Sequence, residues 1–170
     1  MYRYAINHNG KFASIGVVLT MALAGCTTST SQPVSNSAAP VAAGKTDVAI
    51  KAFRELCLQT APSFDAGISG AKRYGVKDFY DLGGEQSGMT KDNSMSVQIK
   101  PGKECAITSP NRSDPTLHQQ FLRTVAEFAD KVPQDDKPNQ PFVATIKGKR
   151  FIFQHDRNGG EAYVMLNPEK

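Results

Sequence analysis

The chain has few of the residues on which enzyme chemistry is most often built. It contains three histidines and three cysteines in 170 residues, and no two of these six stand at the short spacing of a zinc site. Asp135-Asp136 lacks the repeat of acidic ligands that a calcium loop needs. Gly83-Gly84 and Gly159-Gly160 do not open a helix in the manner of a phosphate-binding loop. Gly67-Ile68-Ser69-Gly70 falls one position short of a Gly-x-Ser-x-Gly nucleophile elbow. No catalytic residue, metal or cofactor is assigned on these grounds. There is no second long apolar run after the first 25 residues, so no internal membrane span is expected. Charge of one sign is scarce too. Removing Arg3 and Lys11 with the first segment from the twenty basic residues leaves eighteen against sixteen acidic ones, a net of +2. A balance that small gives no reason to expect nucleic acid as a partner.

What is present begins with an address. Residues 1–11 carry Arg3 and Lys11 and no acid, and residues 12–25, FASIGVVLTMALAG, are apolar or small. A positive start and a short apolar run form an export signal, too short for a spanning helix of about 20 residues. Its end, Leu23-Ala24-Gly25-Cys26, resembles the lipobox of bacterial lipoproteins at every position. The resemblance implies cleavage after Gly25 and lipid on Cys26, hence a membrane partner through the lipid anchor. Two or more acyl chains anchor a protein stably. Thr27 stands where that family uses Asp for inner-membrane retention, which implies the periplasmic face of the outer membrane.

Residues 26–45 are then expected to be a lipidated flexible tether. TTSTSQPVSNSAAPVAAGK has no aromatics and no apolar period, so it cannot offset its ordering entropy. Residues 46–170 are read as a single domain. Ala49, Ile50, Phe53, Leu56 and Cys57 recur at helical spacing, with Thr46 or Asp47 as cap and Pro62 as stop. Ser63 can cap a second helix through Phe64, Ile68 and Ala71, ended by Gly75; Gly67 and Gly70 weaken it. Residues 83–94, with three glycines and Asn93, read as loop. Met95, Val97 and Ile99, the turn Pro101-Gly102, and Cys105 and Ile107 read as a hairpin. Asp114-Pro115 opens a third helix with Leu117, Phe121, Leu122, Val125 and Phe128 on its apolar face, closed by Pro133. Three strands follow, over 142–146, 150–155 and 161–166. The expected class is α+β: an antiparallel sheet of about five strands packed in two layers against about three helices.

With Cys26 lipidated, Cys57 and Cys105 remain, an even pair in an exported chain. A disulfide between them would tie the first helix to the second strand of the hairpin. The run Cys57-Leu58-Gln59-Thr60-Ala61-Pro62 with Phe64 resembles the opening of a family of uncharacterised proteobacterial envelope lipoproteins, which carry a later cysteine in a strand. That resemblance implies the same bridge and no activity.

Two histidines lie in the mature chain. His118, early in the third helix, reads as a partly exposed helix residue. His155, at a strand end beside a Gly-rich turn, is a candidate binding residue, and Asp156 beside it points to the opposite face. Lys147, Lys149 and Arg150 form one compact basic turn that could meet an envelope protein or an anionic polysaccharide. The expected function is a non-enzymatic binding or accessory module of the envelope. The alternatives are an enzyme inhibitor inserting the 83–94 loop and a small hydrolase using His155.

Overall fold

A computed structural model describes residues 45–110, 112–133 and 137–168, all within one unit, Pro40–Lys170. The leader, Cys26, the tether to residue 44, and Asp135-Asp136 lie outside the described residues.

Asp47 is the cap that starts the first helix, α1, Val48–Phe53; its carboxylate accepts from the Ala49 N–H at 2.8 Å. The helix then widens into a π turn, Arg54–Leu58, closed by the Gln59 N–H on the Arg54 carbonyl at 3.0 Å. A π turn advances less per residue around the axis than an α turn. Three consecutive side chains, Leu56, Cys57 and Leu58, thereby all reach the core. The second helix, α2, Asp65–Gly70, follows Phe64, which sits in the left-handed region at φ 63°. Ser63 makes no capping bond there; Phe64 holds the cap position and buries its ring edge-on against Phe151 at 6.2 Å. A 3₁₀ turn, Ala71–Tyr74, ends on Gly75 at φ 86°, where the sequence places the stop.

Seven strands follow, two more than expected: β1 Val76–Asp81, β2 Gln86–Thr90, β3 Ser96–Lys100, β4 Glu104–Ser109, β5 Phe142–Ile146, β6 Lys149–Asp156 and β7 Glu161–Leu166. They form one sheet in the order β1-β2-β3-β4-β7-β6-β5, every pair antiparallel. The third helix, α3, Leu117–Ala126, lies between β4 and β5 in the chain. It starts two residues after Pro115, because the Asp114 carboxylate accepts from both the N–H and the hydroxyl of Thr116 at 2.7 Å. It ends well before Pro133, with Phe128 N–H closing on the Val125 carbonyl.

Strand β2 corrects the loop reading of 83–94, while β1 falls at 76–81, where the sequence suggested no element. Gly88 lies mid-strand in β2, where a Cβ would stand 2.6 Å from Val76 Cγ1 and 2.8 Å from the Asp78 carbonyl oxygen. This glycine permits close strand approach rather than a turn. β1 leaves no alternating pattern in the sequence because it is an edge strand with a register shift between Val76 and Phe79 and no alternating burial.

Strands β3, β6 and β7 bury alternate residues. Val97, Ile99, Ile107, Phe151, Phe153, Tyr163 and Met165 from the sheet share one core with Phe53, Leu56, Leu117, Phe121 and Val125 from the helices. Cys57 is bonded to Cys105 inside that core, both fully buried, with Cα atoms 5.5 Å apart. The bridge joins the π turn to β4, the second strand of the β3–β4 hairpin.

Candidate functional site: a sealed histidine pair

The alternation of β6 determines where His155 faces. Phe151, Phe153 and His155 share the buried face, while Asp156 turns away from it. The β6–β7 register sets His155 opposite Tyr163, and Glu161 lies two residues before Tyr163 on the same face. From the first turn of α3, His118 descends on the same spot. His118 is 5 % exposed, His155 1 % and Glu161 0 %. The expectation of a partly exposed His118 is therefore corrected: one position after Leu117 it still lies on the wide buried stripe that carries Phe121 and Val125.

These residues form a chain of contacts. His118 Nδ1 and His155 Nδ1 are 3.2 Å apart, with ring planes 14° from parallel and centroids 5.4 Å apart. His155 Nε2 lies 2.8 Å from Glu161 Oε2. Arg157 donates to Glu161 Oε1 through Nη2 at 3.0 Å, and through the same nitrogen to the carbonyls of Arg112 and Asp114 at 3.0 and 3.1 Å. The Arg112 N–H also donates to Glu161 Oε1, at 3.2 Å. Phe121 and Tyr163 wall the pair in, the Tyr163 ring stacked on His155 at 4.6 Å.

The partners determine the tautomers. A carboxylate only accepts, so His155 carries its proton on Nε2 and its Nδ1 is left as an acceptor. His118 must then donate from Nδ1. Burial holds His155 below its ordinary pKa of 6.5, against the opposing pull of Glu161. For Glu161 burial acts upward, yet hydrogen bonds from His155 and Arg157 outweigh it and keep the carboxyl below its ordinary value. Near neutral pH an ionised Glu161 therefore faces a neutral His155.

Both nitrogens of His155 are thus engaged. Ser109 lies across β4–β7 from Glu161, and its buried hydroxyl has no partner among the described residues. The ring nitrogens of His155 face His118 and Glu161 rather than that hydroxyl. Two imidazole nitrogens are also two ligands. Among the described residues no third His, Cys, Asp or Glu joins them, short of the three protein ligands that a zinc site uses.

The basic residues lie elsewhere. Lys147 and Gly148 both have positive φ, 53° and 76°, the pattern of a type I′ turn between β5 and β6. Lys147, Lys149 and Arg150 are exposed there. Six residues of extended strand, about 20 Å, separate Lys149 from His155, so the structure does not bring His155 and the basic turn into one site. Residues flanking such a turn bond to each other, so Val143 and Thr145 aim their backbone groups at the free edge of β5. The Asp130 N–H takes the Thr145 carbonyl at 2.8 Å. Residues 130–133 and 141–145 line an open groove of about 760 Å³ along this edge, with Val132 and Val143 exposed.

The sequence placed His155 on its strand but missed Glu161 as its partner and Arg157 as the partner of Glu161. The shared parity of His155 with Phe153, and of Glu161 with Tyr163, was the available signal. No family model, no curated protein and no solved structure matches this chain.

Proposed function

We propose that the chain is a lipoprotein anchored through Cys26 at the periplasmic face of the outer membrane, and that its domain is a non-enzymatic binding or accessory module of the envelope. The observation that carries the binding reading is the exposed turn of Lys147, Lys149 and Arg150 at the end of edge strand β5, beside the open groove. Clustered Lys and Arg side chains make charge-assisted bonds to carboxylate or phosphate groups. An extended partner can also use the outward backbone groups of an edge strand. An envelope protein or an anionic polysaccharide offers such chemistry. The buried Cys57–Cys105 bond supports export, since such bonds persist in oxidising compartments. The same reading takes the domain as two layers, with the helices over one face of the sheet.

Crosslinking in intact envelopes tests the surface. The wild-type chain should yield reproducible adducts that a K147E/K149E/R150E variant of the full chain loses. An unchanged adduct pattern in a folded variant removes the basic turn as the contact surface.

A further inference from the structure

The two edges of the sheet are built differently. β1 carries a register shift and the exposed charges of Lys77, Asp78 and Asp81, devices that keep an edge from pairing. β5, FVATI, is uncharged, pairs β6 in unbroken register and leaves Val143 45 % exposed. The Thr145 carbonyl is held by the Asp130 N–H at 2.8 Å. The Val143 N–H, the Val143 carbonyl and the Thr145 N–H, which also point outward, have no backbone partner among the described residues.

These three groups select a direction for an added strand. An antiparallel strand brings the N–H and the carbonyl of one residue together onto Thr145, where Asp130 already occupies the carbonyl. A parallel strand bonds in a slanted, evenly spaced row. Its residue facing Ala144 gives an N–H to the Val143 carbonyl and accepts from the Thr145 N–H. The residue two earlier accepts from the Val143 N–H. All three groups are then satisfied with the Asp130 contact left in place.

We propose that β5 is a docking edge for an acidic, extended peptide, which adds to the sheet parallel to β5 with its C-terminal end at the basic turn. The inference rests on the binding reading above and narrows the partner to a peptide, because a polysaccharide has no row of amide N–H and carbonyl groups at strand spacing. Running with β5 takes the peptide's C-terminal end to Thr145. Arg150 lies across from Thr145 on β6, and Lys131 follows Asp130 along the groove; both are exposed. The carboxylate of Asp130 beside them is engaged by the Gly148 N–H at 3.0 Å. An acidic group at that end of the peptide meets the two cations in charge-assisted bonds. The exposed Val132 and Val143 offer apolar contact along the groove.

Residue-resolved amide exchange of the full chain tests this, with a synthetic heptapeptide of alternating valine and threonine ending in two glutamates as the probe. At millimolar peptide the exchange of Val143 and Thr145 should slow, while Phe142 and Ala144, already bonded to β6, should not change. Val143→Pro deletes an outward donor without removing a bond to β6 and should weaken binding about tenfold. A peptide N-methylated at the residue facing Ala144 should lose about as much on the wild-type chain, a reading that does not depend on how the variant folds. A peptide with the glutamates at its N-terminal end should bind more weakly. Unchanged exchange at Val143 and Thr145, or equal binding of the N-methylated or the reversed peptide, overturns the proposal. Dextran sulfate serves as the polysaccharide probe. If it binds, loses binding in K147E/K149E/R150E, and no peptide protects the edge, strand addition is overturned while the basic turn stands as a contact surface. If neither probe binds, both readings fall.

Discussion

Gly67 shows how a residue can carry opposite meanings in sequence and in structure. In an exposed helix, Gly→Ala gains up to about 1 kcal/mol. Here a Cβ would run into the Leu56 carbonyl oxygen and stand 2.8 Å from Ile99 Cδ1. Gly67→Ala should therefore destabilise the domain by about 1–3 kcal/mol, the range for overpacking, as a lower urea midpoint with unchanged slope. Glu161 is the second residue on which much depends. Glu161→Gln removes the charge that faces Arg157 and His155, and loss of one partner of a buried pair costs about 3–5 kcal/mol. Denaturant titration at pH 7 measures it. Acid should weaken the wild type through the same residues. Burial holds the folded pKa of His155 below 6.5, so the unfolded chain binds the proton first and stability falls as pH drops from 6.5 towards the folded value. Glu161 is held below 4.5 in the folded chain, so its contribution, complete above 4.5, is lost as pH falls through its folded value. Stability measured from pH 7 to 4 should decline throughout, and a flat profile would contradict both assignments.

At the scale of elements, the most legible parts were those with clean periods. Strands 142–146 and 161–166 stand where alternation places them, and β6 extends one residue beyond its expected range at each end. The π turn was not legible, because a widened turn leaves the apolar composition of Arg54–Leu58 unchanged; the burial of Leu56, Cys57 and Leu58 in succession is its only trace. β2 was illegible for a different reason. Glycine marks turns and close strand approach alike, and only the neighbouring strand distinguishes them. The Cys57–Cys105 bridge, read from parity and compartment, is present between the π turn and β4. It closes a separation of 48 residues, for which chain entropy gives about 4 kcal/mol. Cys57→Ala with Cys105→Ala should lose stability of that order. Thermal unfolding of the double variant beside the reduced wild type measures it, and equal midpoints for wild type and double variant would show that the bridge adds nothing.

For the whole molecule, the address and the domain are separate questions. Cys26→Ser should leave the chain unlipidated and move it from the membrane to the soluble fraction, whereas unchanged fractionation would remove the anchor. The same substitution should leave domain stability unaltered. By itself the sequence determined the class of fold, the spans of its periodic elements, the Cys57–Cys105 pairing and the expectation of a lipid address. These depend on patterns local to a segment, or on counting thiols. Only the tertiary structure decided that His118 and His155 meet, that Glu161 rather than Asp156 orients His155, and that the basic turn lies about 20 Å from His155. Residues 37 apart in the chain are joined by strand register and helix docking, and nothing in either local period encodes which side chain faces which across the core.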